Sequence, residues 1–253
     1  MYQGFYNLAS GMLTQSRNLN VISNNMVNLE TAGYKKDTMV SSTFGEEMLY
    51  RIGRHHDSEW TEMGVTSKIS TADRVYVSYE QGALHTTDGL YDFGIQGRGF
   101  FCIQTDEGVR YTRNGSFAVD AQGYLTLSGV GRVMGTNNQP IRIDNENFAV
   151  DSAGTIYVNE AAGARVMGTL KLVDFADYSQ LHKEDNGVFS TNQAETAPQG
   201  STIAWKALER SNVNLIDEMT SMMTSQRALQ SAAQVLKMYD QVMGKSSAEI
   251  GRL

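Results

Sequence analysis

Residues 5–30 read FYNLASGMLTQSRNLNVISNNMVNLE, and the spacing within them decides how this end of the chain folds. Apolar side chains recur at Phe5, Met12, Leu19 and Met26, and again at Leu8, Ile22 and Leu29, with Gln15 the polar member of the second series. Both series advance by seven, offset by three or four, the a/d pattern of a helix that forms a coiled coil with another helix. Through residue 34 the only charged side chains are Arg17 and Glu30, against asparagines at 7, 18, 20, 24, 25 and 28. A solvated helix carries more charge than this, so the amide-rich face suits hydrogen-bonded contact with other protein. Gly4 and Gly11 each weaken the helix by ~1 kcal/mol relative to alanine, and asparagine is a mediocre helix former. The helix is therefore expected to depend on its neighbours.

The far end repeats the signal. Leu215, Met222, Leu229, Leu236 and Met243 stand in unbroken sevenfold steps, flanked by Ile216, Met219, Met223, Ala233 and Val242. The stripe is wider than a two-helix seam and suits more than one neighbour. Between the ends lie short strand-like runs at Val75–Tyr79, Phe100–Thr105, Ser116–Val119, Tyr124–Leu127, Thr155–Val158 and Thr169–Phe175, separated by glycine-bearing turns. One repeat is visible: Phe117-Ala-Val-Asp-Ala-Gln-Gly123 recurs as Phe148-Ala-Val-Asp-Ser-Ala-Gly154. Asp at the first and Gly at the fourth position mark a type I turn, which predicts two similar hairpins. Residues 35–70 fit neither texture, being polar with scattered aromatics such as Phe44, Tyr50 and Trp60, and read as a connecting arm. The expected fold is α+β: N- and C-terminal coiled-coil-forming helices packed together, with a central all-β domain of many short strands. The limits are 1–34 for the first helical part, 35–70 for the arm, 71–206 for the β domain and 207–253 for the second helical part.

The 253 residues suffice for a core without a disulfide or metal staple. With 21 Lys plus Arg against 28 Asp plus Glu the formal net charge is −7, in no long runs, which argues against nucleic acid and against a polybasic membrane-surface segment. Glycine is 24 residues, above the usual ~7%, and proline only 2, below the usual ~5%, so many tight turns and few rigid linkers are expected. The longest apolar run is Phe100-Phe101-Cys102-Ile103, far short of the ~20 residues of a spanning helix, so a soluble chain with no direct membrane insertion is expected. The first basic residue is Arg17 with no apolar segment after it, so no cleavable secretory signal is read.

Candidate chemistry is sparse. Gln96-Gly-Arg-Gly99 is followed by a β run rather than the helix a phosphate loop needs. His55 and His56 beside Asp57 have no third ligand at helical or hairpin spacing. His85 and His182 are isolated, and no serine sits in a GxSxG elbow. Cys102 falls in the most apolar run, where a thiol packs as a small hydrophobe. Asp120 and Asp151 are accounted for by their matched turns. No catalytic, metal or cofactor residue is named, and no cofactor or enzymatic activity is expected.

Three segments carry a resemblance. The first runs Ala9-Ser-Gly-Met-Leu-Thr-Gln-Ser-Arg-Asn-Leu-Asn-Val-Ile-Ser-Asn-Asn-Met-Val-Asn-Leu-Glu-Thr-Ala-Gly-Tyr-Lys35. The second runs from Asp92-Phe-Gly-Ile-Gln-Gly-Arg-Gly-Phe-Phe101 through Tyr111-Thr-Arg-Asn-Gly-Ser-Phe117 to Gly123-Tyr-Leu125. The third is Leu208-Glu-Arg-Ser-Asn-Val-Asn-Leu-Ile-Asp-Glu-Met219 with Gln226-Arg227. Together they resemble the flagellar axial proteins of bacteria, the basal-body rod and hook proteins, over nearly the whole chain. Val27, Glu30 and Leu229-Gln230 depart from the usual family residues. The length and single β domain are similar to rod proteins of the proximal or distal type.

The resemblance implies a structural rod subunit of the basal body, exported unfolded through the flagellar type III apparatus without a cleaved signal and polymerised across the periplasm. Its implied partners are copies of itself, other rod and hook proteins and the export apparatus, with helices forming an inner tube and the β domain an outer layer. Its assembly interface is expected at Phe5, Leu8, Met12, Leu19, Ile22, Asn24, Asn25, Met26, Asn28 and Leu29 of the first helix and at Leu215, Met219, Met222, Gln226, Leu229, Leu236 and Met243 of the last. The alternatives are a hook or hook-junction axial protein, or a β-rich binding module on a helical stalk.

Overall fold

The computed structural model describes residues 2–51, 61–145, 147–160 and 163–250. The sevenfold pattern at the N-terminal end forms α1, Tyr2–Val27, and that at the C-terminal end forms α2, Leu215–Ile250. Helix α2 starts where Asn214 presents its side-chain oxygen to the N–H of Ile216 at 3.1 Å, an N-cap that satisfies one of the orphan donors of the first turn. Asp217 and Glu218 in that turn favour the positive end of the helix dipole. Among the described residues no helix is long and apolar enough to cross a membrane.

Two units are resolved by backbone contacts: residues 1–26, 37–77 and 214–253 form one, and residues 27–36 with 78–213 form the other. The first contains both helices and two long strands, β1 (Asp37–Arg51) and β2 (Thr61–Val77), paired antiparallel from Asp37 opposite Val77 to Arg51 opposite Thr61. The segment read as an arm is thus largely strand. Its alternation is hard to see because a ribbon of only two strands, with no further strand paired to it among the described residues, imposes no single buried face on the sequence. Trp60 and the His55-His56-Asp57 group lie outside the described residues.

The second unit is β-rich. Its strands are β3 (Leu84–Thr86), β4 (Phe93–Gln96), β5 (Phe100–Thr105), β6 (Gly108–Thr112), β7 (Ala118–Val119), β8 (Leu125–Leu127), β9 (Gly131–Val133), β10 (Phe148–Val150), β11 (Thr155–Glu160), β12 (Gly163–Thr169), β13 (Leu172–Val173), β14 (His182–Lys183), β15 (Val188–Ser190), β16 (Thr202–Trp205) and β17 (Ala207–Glu209). The largest sheet runs β14-β15-β6-β5-β9-β8-β7, with β13 added beside β5. Strands β10-β11-β12 form a second sheet, β16 pairs with β4 and β17 with β3. The expected α+β class is therefore found, two terminal helices around a middle of many short strands.

Strand β5 organises the core because both its faces are covered, and Phe100 through Ile103 are all buried. Phe101 and Ile103 join Phe93, Leu125, Val133, Ile156 and Leu170 in one apolar cluster. Phe100 instead meets the rings of Tyr79, Phe175, Tyr178 and Phe189 at 5.6–6.1 Å, an arrangement of edges and tilted faces that suits aromatic quadrupoles. Cys102 shares the β5 face of Phe100, and burial foremost, with the Glu195 carboxylate second, pushes its thiol up to about 12. It is a buried core residue.

The internal repeat is two matched turns. Gly123 donates its N–H to Asp120 O at 2.9 Å and Gly154 to Asp151 O at 2.8 Å, each glycine having positive φ, between β7 and β8 and between β10 and β11. Gly115 has a different constraint. A Cβ there would lie 1.7 Å from Phe93 O, and that approach lets Phe93 N–H reach Gly115 O at 3.0 Å. Gly115→Ala is expected to lower stability by at least about 1–3 kcal/mol, the cost of overpacking, because the obstacle is backbone and cannot rotate away. Urea unfolding of the full chain followed by tryptophan fluorescence measures it, and an unchanged midpoint would contradict the packing.

Candidate assembly surface and a buried charge cluster

Within the helix-bearing unit, three pairs set the register of α1 against α2. Asn18 Nδ2 donates to Ser225 Oγ at 3.1 Å and Asn25 Nδ2 to Glu218 Oε2 at 3.3 Å, while a Cβ on Gly4 would lie 2.8 Å from the Tyr239 hydroxyl. From 18 to 25 the α1 number rises by seven as the α2 number falls by seven from 225 to 218, and twice that interval separates the Gly4 pair. Pairs of that spacing describe antiparallel helices meeting along one line with a fixed register. Polar members at such a line restrict slippage, since another register leaves buried amides without partners.

Asn25 anchors one end of this line. It is 1% exposed. Its Oδ1 accepts from the Asp37 N–H at 2.9 Å and its Nδ2 donates to Asp37 O at 2.8 Å, so the side chain pairs with the first residue of β1 as a neighbouring strand would. Asn24, its neighbour in the Asn-Asn pair, is exposed.

The expected interface residues separate into two groups. Leu8, Met12, Leu19, Ile22, Asn25, Met26, Asn28 and Leu29, with Leu215, Met222, Leu229, Leu236 and Met243, are buried or half-buried within the chain. Phe5, Asn24, Met219 and Gln226 are exposed. Further apolar residues are exposed beside them: Tyr6, Leu13 and Val27 on α1, and Ile216, Met223, Met238 and Val242 on α2. Tyr6, Leu13 and Val27 fit one sevenfold series through the exposed Asn20. That series is legible in the sequence, but the two more apolar series overshadow it.

The β-rich unit holds a cluster that sequence reasoning did not select. Glu209, at the end of β17, accepts from Lys35 Nζ at 2.7 Å and the Gly82 N–H at 2.9 Å through Oε1, and from Arg113 NH1 at 3.0 Å through Oε2. The side chains of Lys35, Arg113 and Glu209 are 1%, 4% and 0% exposed. Lys35 also donates to Glu80 O at 2.7 Å, and Arg113 NH2 to Gly97 O at 2.8 Å. Burial holds the Lys35 ammonium below its ordinary pKa, and the Glu209 carboxylate opposes that shift. Gly33 completes the cluster. Its φ is +68°, its N–H donates to Glu209 O at 2.7 Å, and a Cβ there would lie 2.3 Å from Arg113 C. Lys35, Arg113 and Glu209 stand one in each of the three motif segments quoted from the sequence. Each motif holds several charged residues, and nothing in one dimension pairs these three.

The other candidates occupy structural positions. Gly97 and Gly99 have positive φ in the turn that leads into β5. His85 in β3 and His182 in β14 are exposed. Among the described residues no group of three His, Cys, Asp or Glu side chains could hold a metal ion.

Three family models match along the chain: "Flagella basal body rod protein" over residues 5–35, "Flagellar hook protein FlgE/F/G D1 domain" over 94–158 and "Flagellar basal body rod FlgEFG protein C-terminal" over 206–249. The flagellar basal-body rod protein FlgG of Bacillus subtilis is 31% identical across 96% of this chain and 97% of its own length. FlgF of Caulobacter vibrioides is 30% identical, covering 96% of this chain and 95% of its own length. The chain belongs to the flagellar basal-body rod protein family. FlgG of Buchnera aphidicola, from Acyrthosiphon pisum, is also similar, at 29% identity across 94% of this chain and 96% of its own length. The role of this rod-family chain is structural and not enzymatic, and its place is the basal body.

The two adjacent asparagines give a direct test of the register line. Asn25→Ala leaves the Asp37 backbone groups and Glu218 without their amide partner and is expected to cost about 1–3 kcal/mol. Asn24→Ala, at an exposed position, is expected to cost less than Asn25→Ala. Chemical denaturation followed by far-UV circular dichroism reads both, and equal effects would contradict the arrangement.

Proposed function

We propose that the chain polymerises through its terminal helices, with other flagellar axial proteins, into the tubular structure that carries torque from motor to hook. The observation that supports this most is the double sidedness of both helices. One stripe of each is occupied within the subunit, and a second, with Tyr6, Leu13, Ile216, Met219 and Met223, is apolar and exposed. In this reading the two stripes together act as coiled-coil seams, the first holding α1 to α2 and the second packing on neighbouring subunits. Many shared seams resist slippage under torque better than one.

The functional division we propose is an inner helical domain from 1–34 and 207–253, a connecting arm from 35–70 and an outer β domain from 71–206. By backbone contacts, residues 27–36 and 207–213 group with the strands. The rod crosses the periplasm, and the chain reaches it through the flagellar export apparatus. The interface is formed by Phe5, Asn24, Met219 and Gln226 between subunits and by the half-buried heptad positions within them.

Two substitutions separate the stripes. Leu229→Asp puts a charge into the intramolecular seam at a cost of several kcal/mol, and is expected to abolish assembly and loosen the helices while the β-rich unit stays folded. Ile216→Asp with Met223→Asp is expected to abolish motility while the isolated subunit keeps its helix content. Normal swimming in the double variant would refute the exposed-stripe contact. Cross-linking mass spectrometry on isolated hook-basal bodies, through the exposed Lys237 and Lys245, is expected to join this chain to other rod subunits. Its absence from intact basal bodies would overturn the reading.

A further inference from the structure

The segment between α1 and β1 is held in an unusual way for a chain with an ample apolar core. None of residues 28–36 belongs to the main apolar cluster among the described residues. Apart from the buried Tyr34 ring, the attachments named below are polar, and two of them meet at Glu209. Gly33 N–H donates to Glu209 O, and Lys35 Nζ donates to Glu209 Oε1 and Glu80 O. Lys36 N–H donates to Asn212 Oδ1 at 2.7 Å, and the Asn212 amide donates onward to Ser78 O at 2.9 Å and Glu80 O at 3.1 Å. Ser78 N–H closes the circuit on Lys36 O at 2.8 Å. On the other side Lys183 Nζ donates to Lys35 O at 3.0 Å and lies 3.9 Å from the centre of the Tyr34 ring.

We infer that residues 28–36 form a strap latched by the Lys35–Glu209 pair, and that strap, residues 78–82 and residues 209–212 open and close as one cooperative unit while the strand core remains folded. The physical reason is the kind of contact involved. An apolar cluster loses stability gradually as its members are trimmed. A buried ion pair adds little when both partners are present, yet losing one partner is costly, because the survivor remains charged in a dry site. The Glu209 carboxylate receives donors from three separate stretches, at Lys35, Gly82 and Arg113, so removing its charge unbalances all of them together. Arg113 stays tied to Gly97 O, on the core side. The strap therefore has its own stability, set by polar chemistry, distinct from that of the sheets. Its opening frees the stretch of chain that leads from α1 into β1. The inference does not rest on the assembly reading and holds for the subunit in isolation.

Native-state hydrogen exchange on the full chain tests it. In Glu209→Gln, which keeps the shape and removes the charge, the amides of Gly33, Lys36, Ser78 and Gly82 are expected to exchange about 100-fold faster or more. The amides of Leu125, Met134 and Ile141, bonded inside the core, are expected to change by less than about 3-fold. Asn212→Ala, which removes no charge, should accelerate the same strap amides by a smaller factor. Parallel acceleration of core and strap, or a Glu209→Gln chain that does not fold, would make the cluster part of the global core and overturn the latch. Strap amides unchanged in both variants would overturn it as well.

Discussion

The buried Glu209 carboxylate is the constraint that fixes how residues 28–36 run against the β-rich unit. A fully buried carboxylate is tolerable only when charge and hydrogen-bond donors surround it, and here the donors are Lys35, Arg113 and the Gly82 N–H. They come from widely separated parts of the chain, so meeting the needs of one acid specifies where three segments run. The demand also reaches the backbone. Gly33 is glycine because its N–H must approach Glu209 O at positive φ, alongside Arg113, where no Cβ fits. Hydrophobic burial around Phe101, Ile103 and Leu125 supplies most of the driving force for the sheets, but it leaves the route of residues 28–36 undetermined.

The helix-bearing unit solves its problem differently. Helix α1 is weak by propensity, since it contains two glycines and several asparagines. What aligns them is a line of small and polar pairs, Gly4 with Tyr239, Asn18 with Ser225 and Asn25 with Glu218. Apolar seams attract but tolerate slippage, whereas an amide has only a few acceptable partners. The arrangement leaves Tyr6, Leu13, Ile216 and Met223 in water. In the assembly proposed above, those exposed side chains are the surface offered to neighbouring subunits.

Much of this was legible beforehand. Helices α1 and α2 followed from sevenfold spacing, β5 from an apolar run, and the paired turns from Asp120-x-x-Gly123 and Asp151-x-x-Gly154, because each depends on residues a few positions apart. Strand β1 and all but the end of β2, where Val75–Tyr79 had the look of a strand, were not legible, since a two-stranded ribbon selects no buried face. Nor was the division of the interface residues. Asn24 and Asn25 look alike in sequence, yet one is exposed and the other pairs with the Asp37 backbone.

The sequence by itself determined the α+β class, the helical ends, the turn chemistry and, through three long motifs, the rod family. These are local or near-local properties, encoded by periodicity, by glycine and aspartate at turns, and by contiguous signature residues. Only the tertiary structure decided that Lys35, Arg113 and Glu209 meet, that the two helices run antiparallel with Asn18 opposite Ser225, and which apolar stripe remains exposed. Those outcomes depend on distances between residues up to 207 positions apart, and no spacing rule along one strand of sequence carries that information. They are settled by desolvation, which forces each buried charge and amide to find its partner wherever the folded chain brings one.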